Sequence, residues 1–276
     1  MRFKSGCKGT AIFPSNKIFL WKNYFFLCFL CNFALMLVKT EAIVLHSFKY
    51  GESRIIADLF TREAGRVSFI VSMPKSQKSR MKKQYFQPMT LLEVECDLRP
   101  RQQLQKLKEV RLLTAWTSLP FSPEKLAIAL FAAEFLYHAL RSEQQNVPLF
   151  CYVCDSMQWL DAAPSGYANF HLTFLMHLSR FLGFYPNLSG DDRDSIFDLQ
   201  AGCFSRQVPM HRDFLQPDEA QKIRLLMRMD FPTMHLYRLS RHDRGRIVEV
   251  LLRYYRLHLP DFPELKSLSV LQELWV

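Results

Sequence analysis

Residues 89–97 read Met-Thr-Leu-Leu-Glu-Val-Glu-Cys-Asp, and apolar and acidic side chains alternate along this stretch. Leu92, Val94 and Cys96 fall on one face of an extended chain, while the carboxylates between them fall on the other. A period of two over this length predicts a β-strand with one buried face. Such a strand needs neighbouring strands to cover that face, so the flanking segments decide the fold.

Similar patterns lie on both sides of this strand. They predict further strands over residues 37–46, 54–61, 66–73 and 104–116, with turns between the first three. Five short antiparallel strands in about eighty residues are typical of a small closed barrel. The oligonucleotide-binding (OB) fold is the commonest five-stranded barrel that binds nucleic acids. We therefore predict an N-terminal OB-fold barrel over residues 36–117.

Beyond residue 117 the pattern becomes helical. Ser122-Pro123-Glu124 combines a capping serine, a proline suited to the first turn and a carboxylate near the positive end of the helix dipole. Apolar spacing predicts helices near 122–141, 147–161, 166–183, 217–229 and 241–258, and a short one near 266–273. The predicted fold class is therefore α+β, with the barrel followed by an all-α helical domain over residues 118–276.

The net charge of +10 is concentrated in the barrel region. Residues 36–117 contain fifteen basic and eight acidic residues, whereas residues 118–276 contain sixteen basic and eighteen acidic residues. The segment from Pro74 to Lys83, called the basic loop below, holds five cations and no carboxylate. Because lysine and arginine placed against phosphates release condensed counterions, this loop predicts a polyanionic partner, with nucleic acid as the first candidate.

The predicted DNA-binding residues are the five cations of the basic loop and three arginines that extend the track over the barrel. They are Lys75, Lys78, Arg80, Lys82 and Lys83 in the loop, and Arg54, Arg62 and Arg66 outside it. Tyr85 and Phe86, which follow the loop, are predicted to offer stacking surfaces for unpaired bases. An ordinary solvated loop is the alternative interpretation.

A second group of cations lies at the start of the last long helix: Arg238, Arg241, Arg244 and Arg246. Positive charge at a helix start opposes the helix dipole, so the arrangement suggests an acidic partner. A protein tail with carboxylates and an apolar residue would suit this site, as would DNA. Solvated arginines without a partner are the alternative.

Motifs for catalysis or metal binding are missing from the sequence. There is no phosphate-binding Gly-x-x-x-x-Gly-Lys-Ser/Thr loop, no Gly-x-Gly-x-x-Gly fingerprint and no Gly-x-Ser-x-Gly elbow, so we predict neither an enzyme nor a cofactor. Asp191, Asp192 and Asp194 are interpreted as a solvated loop rather than a magnesium site. Cys151 and Cys154 form a C-x-x-C with no second pair after it, so packed reduced thiols are favoured over a metal.

The first 35 residues carry five basic and no acidic groups and an apolar stretch that superficially resembles a membrane span. Lys22, Asn23 and Asn32 interrupt the apolar run, and Met36 directly precedes the first strand. We therefore interpret residues 1–35 as an upstream extension outside the native fold. A membrane anchor is the alternative, although a cytoplasmic protein without membrane attachment is favoured.

Several motifs resemble those of one bacterial family, RecO. They are the opening strand Lys39-Thr-Glu-Ala-Ile-Val-Leu, the turn Tyr50-Gly-Glu-Ser-Arg, the segment Phe60-Thr-Arg-Glu-Ala-Gly-Arg, the basic loop with the residues after it up to Pro88, and Phe181-Leu-Gly-Phe-Tyr-Pro-Asn-Leu in the helical domain. Their order and spacing extend from Met36 to the end of the chain. The resemblance therefore covers both predicted domains.

This resemblance implies a mediator of DNA repair and homologous recombination. It implies binding of single- and double-stranded DNA, annealing of complementary strands, contact with the acidic tail of single-stranded DNA-binding protein (SSB), and cooperation with RecR to load RecA at the nucleoid, without enzymatic turnover. Many members carry a four-cysteine zinc site after Pro-Asn-Leu; here Ser-Gly-Asp-Asp-Arg-Asp follows Leu188, so no zinc is expected. A generic nucleic-acid-binding OB-fold protein without mediator activity is the alternative.

Overall fold

The computed structural model describes residues 36–73, 82–99, 102–188 and 194–273, which form an N-terminal β-barrel and a C-terminal helical domain. The predicted extension, residues 1–35, lies outside the described residues. The five barrel strands are β1 (Met36–Tyr50), β2 (Arg54–Thr61), β3 (Gly65–Ser72), β4 (Leu91–Leu98) and β5 (Leu104–Thr114). They close in the order β1-β2-β3-β5-β4, which confirms the predicted five-stranded barrel. The prediction that all strands are antiparallel is wrong for one pair, because β3 and β5 pair parallel where the barrel closes.

Strand β1 is long because it pairs with two partners in succession. Residues 36–43 pair antiparallel with β4, whereas residues 42–50 pair with β2, and the register shifts at a bulge between Val44 and His46. The last pairs of the β1–β2 hairpin join Phe48 to Ile56 and Tyr50 to Arg54. The end of β1 therefore leaves β4 and forms a hairpin with β2.

The alternation that predicted the strands also predicts the barrel core. Leu92, Val94 and Cys96 are buried among the apolar side chains inside the barrel. Glu93 and Glu95, which alternate with them, are half-buried on the outer face. Strand β4 therefore presents the two faces that its period of two requires.

The helical domain contains six α-helices among the described residues. They are α1 (Pro123–Ala139), α2 (Val147–Ala162), α3 (Phe170–Phe181), α4 (Pro217–Arg228), α5 (Arg241–His258) and α6 (Ser267–Glu273). The Ser122 side chain accepts a hydrogen bond from the Lys125 amide, as expected for a serine cap. Across the described ranges, no helix is both long and apolar enough to cross a lipid bilayer.

A small antiparallel sheet lies between α3 and α4 and was not predicted. Its strands are β6 (Ile196–Asp198), β7 (Cys203–Ser205) and β8 (Phe214–Leu215), in the order β7-β6-β8. Strands of two or three residues are too short to show a period of two, so the sequence indicated only a break in the helical pattern. Of the predicted acidic loop, Asp194 is exposed, and Asp191 and Asp192 lie outside the described residues.

The barrel and the helical domain share an apolar interface centred on β1. Ala42 and Val44 are buried inside the barrel, whereas Ile43 and Leu45 point the other way and pack into the core of the helical domain. Phe60 of β2 joins this second core, with its ring centroid 5.7 Å from that of Phe150 on α2. Residues 42–45 are therefore buried on both faces of the strand, which fixes the barrel against the helices.

The connection between β5 and α1 is held by one carboxylate at the end of α2. Asp161 accepts hydrogen bonds from the amides of Thr117, Ser118 and Leu119, at N–O distances of 2.9, 2.8 and 2.7 Å. Burial alone would raise the pKa of Asp161, but these hydrogen bonds outweigh it and lower the pKa to about 2. The connection is therefore anchored to the helical domain rather than free to swing.

Gly65 lies directly against the backbone of the helical domain. Its φ is +67°, and a Cβ at this position would lie 2.4 Å from the carbonyl carbon of Gln144. Gly183 supplies a matched control because its φ is +87° but nothing lies within 4 Å of the position of a Cβ.

We predict that Gly65→Ala destabilises the protein more than Gly183→Ala. Both changes incur the strain of a positive φ, roughly 1–2 kcal/mol, but only Gly65→Ala adds a clash with backbone. Urea denaturation followed by circular dichroism gives the two free energies of unfolding. Equal losses would show that the domains separate locally to accommodate the methyl group.

Candidate nucleic-acid interface

A cleft of about 770 Å³ lies between the β1–β2 hairpin and the segment that follows the basic loop. Phe48, Lys49 and Arg54 line it from the hairpin, while Met73 and Lys83 line it from the two sides of the basic loop. The described chain stops at Met73 and resumes at Lys82, so both ends of the described chain lie at the cleft. The cleft is therefore where the hairpin meets Met73 and Lys83, which lie on either side of residues 74–81 in the chain.

Backbone hydrogen bonds fix the two walls of this cleft. The Ser47 hydroxyl donates to the Phe86 carbonyl at 2.7 Å, and the Met89 amide donates to the Val44 carbonyl, also at 2.7 Å. On the other side, the Met73 amide donates to the Ser53 carbonyl at 2.7 Å. The entry and exit of the basic loop are thus tied to the same hairpin.

The charge of the cleft is predominantly positive. Lys49, Arg54 and Lys83 are exposed on its walls, Lys82 is exposed beside it, and Glu52 is the carboxylate among the described lining residues. Lys75, Lys78 and Arg80 lie outside the described residues, so their predicted contacts stay predictions. Three of the eight predicted DNA-binding residues, Arg54, Lys82 and Lys83, therefore lie at or beside this cleft.

The expectation that Phe86 offers a stacking surface is wrong. Phe86 is only 2% exposed and belongs to the barrel core, and Tyr85 is half-buried against the same core. Phe86 lies at the end of a short 3-10 helix, Lys83–Phe86, that turns its ring inward. The Phe86 ring fills the barrel core, and a ring buried there cannot stack on a base.

Two exposed aromatic residues beside the cleft were missed. Phe48 and Tyr50 are 45% and 47% exposed, and they lie two residues apart near the end of β1. The alternation Phe48-Lys49-Tyr50 was the available signal, because a strand places residues i and i+2 on one face. The predicted strand ended at His46, so this alternation was not recognised.

Arg62 lies at the opposite end of the barrel from this cleft. It follows β2, whereas Arg54 begins it, and at ~3.3 Å per residue the eight residues of β2 separate the two ends by roughly 25 Å. The Arg62 guanidinium pairs with Glu41 at 2.9 Å, and this hydrogen bond raises its pKa. The structure therefore does not bring Arg62 and Arg54 together.

Arg66 belongs to the joint between the two domains. Its side chain is 11% exposed, and its guanidinium lies 3.5 Å from the buried Asp58 carboxylate. It also donates to the Tyr137 carbonyl at 2.6 Å and lies 4.3 Å from the centroid of the Tyr137 ring. These contacts connect β3 to α1, so Arg66 stabilises the contact between the domains and its guanidinium group is not exposed to a ligand.

Two of the four cations in the second group line a smaller cleft of about 380 Å³ at the start of α5, which the acidic residue Glu249 also lines. Arg241 and Arg246 both line it; Arg241 donates to the Gln272 carbonyl at 2.7 Å, and Arg246 pairs with Glu219 at 2.8 Å. Arg244 is half-buried and donates to the Leu239 carbonyl at 2.6 Å, while Arg238 is exposed. Arg241 and Arg246 are thus brought together at one cleft.

The two cysteines of the C-x-x-C motif lie on α2. Both are free thiols, and Cys154 packs against the core of the helical domain. Burial raises the pKa of Cys154 to about 12, which keeps it protonated and unreactive at neutral pH. Within the described ranges, no three His, Cys, Asp or Glu side chains form a group that could hold a metal ion.

Comparison with known proteins agrees with this architecture. Residues 36–116 match the family model described as "Recombination protein O N terminal", and residues 120–269 match "Recombination protein O C terminal". The chain belongs to the RecO family. The resemblance recognised in the sequence is therefore confirmed for both halves of the chain.

Several curated relatives carry the name "DNA repair protein RecO". The protein from Phocaeicola vulgatus is 50% identical over 240 residues, and that from Bacteroides fragilis is 48% identical over 241 residues. The relative from Porphyromonas gingivalis is 34% identical over 244 residues. Each alignment covers 87% of this chain and the whole of the relative. These names and family models establish a DNA repair family for the chain.

Arg66, which is buried in an ion pair, and Arg54, which is exposed at the cleft, can be compared as a matched pair of variants. Removing one partner of a buried ion pair leaves the other charge uncompensated, so we predict that Arg66→Ala lowers the free energy of unfolding by roughly 3 kcal/mol. Arg54→Ala, at an exposed position, leaves it nearly unchanged. Chemical denaturation of both variants measures the difference, and similar stabilities would contradict the structural role of Arg66.

Proposed function

We propose that this RecO-family protein binds single- and double-stranded DNA at the cleft of the barrel and anneals complementary strands. We further propose that, with RecR, it helps load RecA onto strands coated with SSB. The observation that carries the proposal is that Met73, which precedes the basic loop, and Lys83, which ends it, line the same cleft as Arg54 and Lys49. DNA is the polyanion that a repair protein handles, and the nucleoid is the location we propose.

Annealing requires cationic groups that reduce the repulsion between two negatively charged DNA strands. Long, solvated lysine and arginine side chains neutralise phosphates without reading sequence, so either strand can be held and can slide into register. The proposed contacts are Arg54 and the five cations of the basic loop. Arg62 and Arg66, whose guanidinium groups already have carboxylate partners, are not included in this proposed contact set.

Neutralising the basic loop should flatten the salt dependence of single-strand binding. The variant carries glutamine at Lys75, Lys78, Arg80, Lys82 and Lys83. Each lost phosphate contact removes about 0.7 from the slope of log affinity against log salt. Fluorescence anisotropy with a labelled oligonucleotide at several salt concentrations gives the slope.

The control removes the same number of charges from the helical domain. Exposed positions suited to it are Arg141, Arg206, Arg212, Arg228 and Arg256. This variant has the same net charge as the loop variant, so a purely global charge effect would change both slopes equally. An unchanged slope in the loop variant would refute the assignment of DNA contacts to the loop.

The cleft at the start of α5 is the proposed binding site for the acidic tail of SSB. Arg241 brings its guanidinium group to this cleft and Arg238 is exposed nearby in the chain, whereas Arg246 already pairs with Glu219 at 2.8 Å. Carboxylates of a tail would pair with Arg238 and Arg241, because guanidinium donates two parallel hydrogen bonds to a carboxylate. This contact would bring the protein to coated strands, whereas the barrel cleft would act on the DNA itself.

The mediator function is tested by annealing complementary strands precoated with cognate SSB, using the full chain. We expect clear acceleration by the wild type and loss of acceleration in the loop variant. A variant with Arg238→Gln and Arg241→Gln should still anneal bare strands but lose its advantage on coated ones. Fluorescence energy transfer between end-labelled strands follows the reaction.

The alternative function gives a different pattern in this experiment. A generic nucleic-acid-binding barrel binds bare DNA but does not accelerate annealing of coated strands. That outcome would remove the mediator function while leaving the DNA-binding cleft in place.

A further inference from the structure

A row of exposed rings runs along the outer face of β1 beside the cationic cleft. His46, Phe48 and Tyr50 lie at alternate positions of the strand, and all three are exposed. The ring centroids of His46 and Phe48 are 5.7 Å apart, and the His46 ring lies 4.8 Å from that of Tyr137 on α1. These three residues are called the aromatic row below.

The aromatic row is placed where a bound strand would pass. Phe48 lines the cleft of about 770 Å³, and a second cleft of about 590 Å³, lined by His46 and Tyr137, shares Pro88 with it. The row therefore runs from the turn of the β1–β2 hairpin towards α1. Arg54 lies 5.8 Å from the centroid of the Tyr50 ring, so cation and ring stand side by side at the hairpin end of the row.

Packing within the described part of the chain does not require these rings to be exposed. The large aromatic residues Phe60, Phe69 and Phe86 of the barrel are all at most 2% exposed, as expected where burial stabilises a core. Adjacent exposed rings on one strand face form an apolar surface rather than a single scattered residue. Their position beside Lys49, Arg54 and Lys83 specifies a partner that offers flat rings together with phosphates.

The geometry points to a base-stacking platform on which Phe48 and Tyr50 hold unpaired bases of a single DNA strand, with His46 extending the platform towards α1. This inference rests on the proposed function and specifies the form of DNA that the cleft takes. At ~3.3 Å per residue, positions two apart on a strand are separated by roughly 6.6 Å, close to the space that one base occupies when both its faces are stacked. A duplex cannot use the platform because its bases are already stacked on one another.

The phosphate contacts and the aromatic row can be distinguished experimentally, because the former depend on salt concentration and the latter on the presence of bases. Phosphate contacts weaken steeply with salt, whereas stacking on rings depends on the bases and hardly on salt. Removing the rings should therefore lower single-strand affinity without altering the salt slope. Neutralising the basic loop should instead flatten the salt slope.

The test compares the full chain with the double variant Phe48→Ala/Tyr50→Ala on three probes. They are a short oligothymidylate, a phosphodiester strand of the same length without bases, and a duplex. We expect the variant to bind oligothymidylate ~10- to 100-fold more weakly, with unchanged salt slope. Its affinities for the strand without bases and for the duplex should match those of the wild type, which also shows that the variant is folded.

Two further variants complete the comparison. Phe48→Tyr/Tyr50→Phe keeps both rings and should retain wild-type affinity for oligothymidylate. Phe121→Ala removes a ring that is 80% exposed at the start of the helical domain, and it should have no effect.

Unchanged binding of oligothymidylate by Phe48→Ala/Tyr50→Ala would overturn the platform, as would equal losses on the strands with and without bases. In either case, retained binding by the wild type would leave the proposed DNA cleft standing. Failure of the wild type to bind any of the three probes at low salt would instead overturn the proposed function and the platform together.

Discussion

Strand β1 has to satisfy two partner strands and two hydrophobic cores, and the arrangement of the molecule depends on how it does so. Its first half closes the barrel against β4, and its second half forms the hairpin with β2. Between them, residues 42–45 are buried on both faces, alternately in the barrel and in the helical domain. Because a shift by one residue would exchange the two faces, the register of this strand is strongly specified.

The placement of carboxylates separates structural cations from open ones. Near the helical domain, Glu41 and Asp58 pair with Arg62 and Arg66, so those guanidinium groups serve the fold. At the other end of β2, Arg54 is exposed on the wall of a cleft that it shares with lysines. Arginines close together in the sequence thus face different environments, and only the end poor in carboxylates suits a polyanion.

Features with a clear period could be predicted from the sequence, whereas those set by tertiary contacts could not. Alternation located β4, apolar runs between turns located the other four barrel strands, and the Ser122 cap located the start of α1, although the predicted first strand ended at His46 and β1 continues to Tyr50. The alternation Phe48-Lys49-Tyr50 was a local signal for an exposed face, but nothing local indicated that Phe86 is buried, because its burial depends on how the short 3-10 helix turns its ring into the barrel. Arg66 was likewise assigned to DNA because its carboxylate partner and Tyr137 come from other elements.

A protein that pairs complementary strands must hold each strand firmly enough to align it and loosely enough to release it. Stacking of a base on an aromatic ring contributes about 1–3 kcal/mol, and a base-pair step in duplex DNA contributes about 1.4 kcal/mol on average. A base resting on Phe48 or Tyr50 would therefore exchange for its complement at little net cost. Solvated lysines around the cleft add attraction that is insensitive to sequence, so the strand could slide between attempts. Rigid, sequence-specific contacts would instead trap one register and prevent the search.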